Sequence, residues 1–159
     1  MNIADIITPE RVRFTTEINS KKRAIEEISQ LLAAGAPNLK QEDISESLTS
    51  REKLGSTGLG GGVAIPHGRM RGIDNGVGAF LRIGNGVSYD ASDGANVDLV
   101  FGLLVPQNCN EEHLKILAQL AEMFLDEEFC SKLRAARDSQ ALYALLSAYR
   151  PATAGPTTA

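Results

Sequence analysis

The sequence holds little that would tie it to a secretory, membrane or nucleic-acid setting. Its two cysteines, Cys109 and Cys130, show neither C-x-x-C spacing nor a dense framework, so a reducing compartment is expected and the fold needs no disulfide. Cys109 with His113 and His67 lacks the ligand pairs of a zinc centre, so no metal is expected, and no cofactor. No apolar run approaches the ~20 residues of a membrane span. The opening residues Met1-Asn2-Ile3-Ala4-Asp5 carry acid early, without the basic region and apolar stretch of a signal peptide. A cytoplasmic location without membrane insertion is therefore expected. Basic runs no longer than Lys21-Lys22-Arg23, in a chain of net charge -4, argue against nucleic acid as a partner, because that binding relies on a basic face. The 43% apolar and 23% charged residues over 159 positions suit one globular domain with a packed core.

Periodicity divides the chain into three parts. Arg11 to Glu17 alternates and reads as a strand, after which Ser20 opens a helix with Ile25, Ile28, Leu31 and Leu32 at helical spacing. Gly35 and Pro37 end that helix, and Gln41 to Leu54 reads as a second, with Ile44, Leu48 and Leu54 inward and Gly55 just past its end. From Gly55 to Val105 the pattern is strand-like: Val63 to Ile65, Val77 to Ile83, Val87 to Tyr89 and Val97 to Val105. The last of these is nearly all apolar, as a central strand covered on both faces would be. Gly84-Asn85-Gly86 predicts a tight hairpin turn. Beyond Pro106, Asn110 is a candidate N-cap for a helix whose Leu114, Leu117, Leu120, Ala121, Phe124 and Leu125 form one stripe, expected to be core. A short helix near Glu127 to Ala136 and a last one capped by Asp138 bring the domain to residue 149. Residues 150–159 offer almost nothing to bury and read as a disordered tail. The expected fold is α/β: a single domain, 1–149, with a mixed β-sheet flanked by helices on both faces.

The chemistry concentrates between Arg51 and Arg69, where six of the fifteen glycines fall. A loop so rich in glycine loses much entropy on folding, which suggests close approach of backbone to a ligand. The frame from Gly55 to Gly60 is followed by Gly61 where a P-loop needs lysine, and the dinucleotide pattern fails at Val63. Backbone NH groups with Ser56, Thr57 and Arg51 instead suit a phosphoryl group of about two negative charges. His67 follows, flanked by Pro66, which biases Ile65 toward extended geometry, and by Gly68, which leaves space for an incoming partner. A neutral imidazole is nucleophilic, which suits it to transient phosphoryl carriage. His113 falls in the first turn of a helix, where an anion is favoured nearby. The residues alone thus describe an anion site with a candidate nucleophile.

The segments R-E-x-x-G-S-T-G, from Arg51 to Gly58, and A-I-P-H-G, from Ala64 to Gly68, resemble the phosphorylation-site signature of the enzyme IIA proteins of the phosphoenolpyruvate-dependent phosphotransferase system. The resemblance is to the fructose/mannitol class, most closely its nitrogen-regulatory branch. It extends through Val97-Asp98-Leu99, Leu103-Leu104-Val105-Pro106 and His113-Leu114 to Lys132-Leu133-Arg134, leaving out the tail. It implies that His67 accepts phosphate at Nε2 from a histidine phosphocarrier protein. His113 matches the second active-site histidine, which helps hold the phosphoryl group. Arg51 would neutralise its charge, Ser56 and Thr57 would donate hydrogen bonds, and Gly58 and Gly60 would contribute to phosphate binding.

The expected function is that of a phosphotransferase component whose phosphorylation state signals nitrogen, potassium or carbon status to regulatory target proteins. The chain carries no cysteine loop of the enzyme IIB kind and no membrane domain, which favours signalling over sugar uptake. Three other readings remain: a sugar-specific enzyme IIA serving a separate IIB subunit, an anion-sensing module that forms no phosphohistidine, and a metal hydrolase built on His67 and His113.

Overall fold

The computed structural model describes residues 2–150; apart from Arg150, the tail expected over 150–159 lies outside them. After two short 3-10 turns come β1 (Val12–Thr15), α1 (Lys21–Ala34) and α2 (Gln41–Lys53). Four strands follow, β2 (Gly58–Gly60), β3 (Val63–Ala64), β4 (His67–Met70) and β5 (Val77–Val87), then β6 (Val97–Pro106). The chain continues through α3 (Glu111–Leu125), α4 (Glu127–Ala135) and α5 (Ser139–Ala148). Ser20, Asn110, Asp126 and Asp138 each accept a backbone NH from the first turn of the helix they precede, satisfying donors that the helix itself cannot.

The strands form one mixed sheet in the order β1-β5-β6-β3-β2, with β4 also on β6. β1 is parallel to β5, β5 antiparallel to β6, and β3 and β4 both parallel to β6. Every residue of β6 except Asp98 is buried, because helices cover both faces as its apolar run requires. On one face Leu99, Phe101, Leu103 and Val105 pack with Phe80 and residues of α3, α4 and α5. On the other, Val100 and Leu104 pack with α1 and α2. Phe124 stacks on Phe80 with ring centroids 6.1 Å apart; burying each such ring contributes about 1.5–3 kcal/mol. Cys130 belongs to this core, and burial pushes its thiol pKa up.

Three expectations are corrected. Gly84-Asn85-Gly86 is not a hairpin turn but part of β5, where Gly86 takes φ 69° and the register shifts so that Val87 pairs with Val97. The residue types that suggested a turn serve a bulge instead, the chain reverses across residues 88–96, and Val87–Tyr89 is no separate strand. Leu54 is 84% exposed at the α2 C-cap, while Ile44 and Leu48 are buried. On α3 the inward face is His113, Ile116, Leu120, Met123 and Phe124, leaving Leu114 and Leu125 exposed. The leucine pattern set the stripe one residue late, since a histidine opens the true inward face.

Candidate functional site

β3 and β4 run along the same edge of β6, and the register continues unchanged from Ala64 opposite Val100 to His67 opposite Leu103. The interruption falls at Pro66, which has no NH to give to the ladder, while its carbonyl still accepts from Leu103 N at 3.0 Å. Beside this break the His67 ring folds back, with Nδ1 2.9 Å from the Ile65 carbonyl oxygen. A carbonyl only accepts, so Nδ1 carries the proton and the neutral ring presents its lone pair at Nε2.

His113 has the opposite arrangement. It is the third residue of α3, where Asn110 Oδ1 accepts its backbone NH at 3.2 Å and its own Nδ1 accepts the Asn110 NH at 3.3 Å. Its Nδ1 therefore holds the lone pair and Nε2 the proton. The residue is 8% exposed, and among the described residues Nε2 has no hydrogen-bond partner. A buried donor left unmatched costs free energy, and the residue that carries it lines a cleft.

That cleft, about 410 Å³, lies between α2 and α3 over β4 and is lined by Arg51, His67 and His113 together. Leu54, Leu114 and Leu117 help line it; all three were expected inward, yet Leu54 and Leu114 are exposed and only Leu117 also packs against the core. Arg51 Nη1 donates to the Gly55 carbonyl at 2.9 Å, which ties the guanidinium to the end of its own helix. Ser47, Ser50 and Arg69 also line the cleft and were not anticipated. No sequence signal marked them: the alternation that sets position 69 on the side of position 67 follows only once β4 is paired with β6.

A smaller recess of about 250 Å³ is lined by Arg51, Ser56, Thr57, Gly58 and His67, among others. The expected hydroxyl donors are already committed. Ser56 Oγ donates to the Tyr89 carbonyl at 3.2 Å and accepts the Gly58 NH at 3.1 Å. Thr57 is buried, its hydroxyl donating to the Glu52 carboxylate, which also accepts the Thr57 NH at 3.1 Å. Tyr89 OH donates to the same carboxylate at 3.2 Å, and Lys21 Nζ lies 3.0 Å from it. Burial above all, with the Glu52 charge nearby, pushes the Tyr89 hydroxyl well above its ordinary pKa and keeps it a donor. Glu52, next to Arg51 in the sequence motif, thus locks the 55–58 turn against α1 and α2.

Gly60 lines neither recess and stands at the β2–β3 reversal, where Gly60, Gly61 and Gly62 have φ of 90°, 65° and 84°. The polar groups of this turn are bound within the protein: Asp93 accepts the Gly61 NH at 2.9 Å, and Arg134 donates to the Gly61 carbonyl at 2.7 Å while paired with Asp98. Glycine here serves backbone geometry. Among the described residues no group of three or more His, Cys, Asp or Glu could hold a metal ion, and no helix is long and apolar enough to cross a membrane.

The family model described as phosphoenolpyruvate-dependent sugar phosphotransferase system, EIIA 2, matches residues 5–149. A nitrogen regulatory protein of Bradyrhizobium diazoefficiens is 42% identical over 154 residues, covering 97% of this chain and 99% of that protein. One from Pseudomonas aeruginosa is 42% identical over 146 residues, covering 92% and 95%. Among solved structures, the nitrogen regulatory protein IIA-Ntr of Neisseria meningitidis superimposes with a TM-score of 0.84 at 43% identity, covering 91% of this chain and 98% of that one. The IIA mannitol protein of Escherichia coli shares the fold, with a TM-score of 0.72 at 23% identity over 88% of this chain and 98% of that one.

Proposed function

This chain belongs to the EIIA 2 family of the phosphoenolpyruvate-dependent phosphotransferase system, as a phosphotransferase component related to nitrogen regulatory proteins, and from that premise we propose that His67 Nε2 accepts a phosphoryl group from a histidine phosphocarrier protein. The observation that carries the proposal is the bond from His67 Nδ1 to the Ile65 carbonyl, which frees Nε2 as the nucleophile. In the transfer, the phosphorus–nitrogen bond of the donor's phosphohistidine breaks as one to His67 Nε2 forms. The donor ring leaves as neutral imidazole with the electron pair of that bond. The positive charge of an N-phosphorylated, NH-bearing ring passes to His67, whose Nδ1–H stays on the Ile65 oxygen and is stabilised there. His113 Nε2–H and Arg51 supply the charge-matched donors for the phosphoryl oxygens.

Phosphorylation places a phosphoryl group of roughly two negative charges, offset in part by the cationic ring that carries it, in a cleft lined by leucines, which alters the partner surfaces that can dock there. We infer a regulatory output on target proteins, in the cytoplasm, where the donor operates. Intact mass after incubation with phosphoenolpyruvate, enzyme I and the phosphocarrier should rise by one phosphoryl group, in an acid-labile, base-stable linkage. His67→Ala should abolish the gain. An unmodified wild-type chain would leave the anion-sensing reading, and phosphorylation that persisted in the variant would place the phosphate elsewhere.

A further inference from the structure

Arg69 has no place in the account so far, although it lines the same cleft as His67, Arg51 and His113. The register of β4 explains why it is there. His67 pairs with Leu103 and Arg69 with Val105, both of which face the α3 side of the sheet, whereas Gly68 pairs with Leu104, which faces α1 and α2. The strand alternation thus sets His67 and Arg69 on one face, two residues apart. Gly68 takes the other face, where a Cβ would clash with Ser47 Oγ of α2.

The two arginines of the cleft differ in what holds them. Arg51 already donates to the Gly55 carbonyl. Arg69 is exposed, and among the described residues its side chain makes no hydrogen bond or ion pair. The chain carries more acid than base, 20 residues to 16, yet no carboxylate lines this cleft. A cation left unpaired beside a nucleophile is matched by an anion from outside.

We propose that Arg69 is a second cation for the transferred phosphoryl group, binding its oxygens from the strand side while Arg51 approaches from the end of α2. The assignment rests on His67 being the phosphoryl acceptor. In a loose transition state the charge spreads over three equatorial oxygens, more than one tethered arginine and one imidazole NH can match. A guanidinium offers a planar fork of donors, free here to turn toward those oxygens as they arrive. Arg69 exchanges no proton: the bonds made and broken are those between phosphorus and the two imidazole nitrogens.

The test compares Arg69→Ala and Arg69→Lys with wild type, using two phosphoryl donors, the phosphorylated histidine phosphocarrier and the small molecule phosphoramidate. Wild type is measured first, so a failure of His67 to accept phosphate is recognised before Arg69 is judged. The alanine variant should transfer roughly ten- to hundredfold more slowly from both donors. The loss should appear in the rate at saturating phosphoramidate, and lysine should recover part of it. A loss with the protein donor alone would mean that Arg69 binds the carrier's surface, and would overturn the proposal. Wild-type rates with both donors would also overturn it, leaving Arg69 as a charge that guards an edge strand against pairing.

Discussion

His67 and His113 line one cleft with opposite tautomers: the Ile65 carbonyl holds the proton on Nδ1 of the first, and the Asn110 NH keeps it off Nδ1 of the second. Each assignment follows from a backbone group that can act in only one sense. One ring presents a lone pair at Nε2 and the other an NH, the difference that the proposed roles of carrier and assistant require. Helix capping and strand geometry, both local features, thus set the two tautomers.

His113→Ala should slow phosphorylation of His67 without abolishing it. A neutral NH to a phosphoryl oxygen contributes about 1 kcal/mol, or roughly fivefold in rate. His113→Gln should do better than alanine, because an amide oxygen can accept the Asn110 NH as glutamine does at this position of a capping box while the amide nitrogen still donates. Single-turnover rates, with peptide mapping under alkaline conditions, test both points. Phosphate on the His113 peptide, or a wild-type rate in the alanine variant, would refute the assigned roles.

Arg51→Ala should cost more. A charge-assisted contact is worth about 1.5–3 kcal/mol, so transfer should slow roughly ten- to hundredfold with the fold intact. Circular dichroism and thermal melting check the fold, because Arg51 also closes the end of α2 through Gly55. Unchanged kinetics would remove Arg51 from the site.

Much of this was legible from residue order because the signals were local. Ser20, Asn110 and Asp138 announced their helices, and the apolar run of β6 announced a strand covered on both faces. β4 was not legible, since His67-Gly68-Arg69-Met70 has neither β-branched residues nor apolar alternation and is held as a strand by its pairing with β6. Leu114 was placed in the core because its spacing is helical, but spacing does not reveal which of two adjacent stripes faces inward. The loop of glycines lies beside the cleft of His67, but its hydroxyls are bonded within the protein. Ser56 and Thr57 serve the turn itself, and the residue organising them, Glu52, looked like an ordinary charge on a helix.

Glu52 should prove the most sensitive structural residue of the site. Its carboxylate is nearly buried and accepts from Thr57, from Tyr89 and from Lys21, whose Nζ also lies 4.5 Å from the centre of the Tyr89 ring. Glu52→Ala removes the acceptor shared by Thr57, Tyr89 and Lys21 and leaves the ammonium with only the exposed Asp90, 3.8 Å away. Removing one partner of a fully buried ion pair costs about 3–5 kcal/mol; Lys21 is partly exposed and retains Asp90, so a smaller loss is expected that still lowers the melting temperature. Glu52→Gln keeps one acceptor oxygen and should lose less. The double variant Lys21→Met with Glu52→Gln should be more stable than the sum of the two single losses implies, since it removes the unpaired charge, with a coupling of roughly 0.5–3 kcal/mol. Transfer rates measured well below the melting temperature separate stability from positioning. If the network holds Arg51 and the 55–58 turn in place, the folded Glu52→Gln protein should also transfer more slowly, although residue 52 lines neither recess beside His67. A melting temperature equal to wild type in Glu52→Ala would show that the network contributes nothing to the fold.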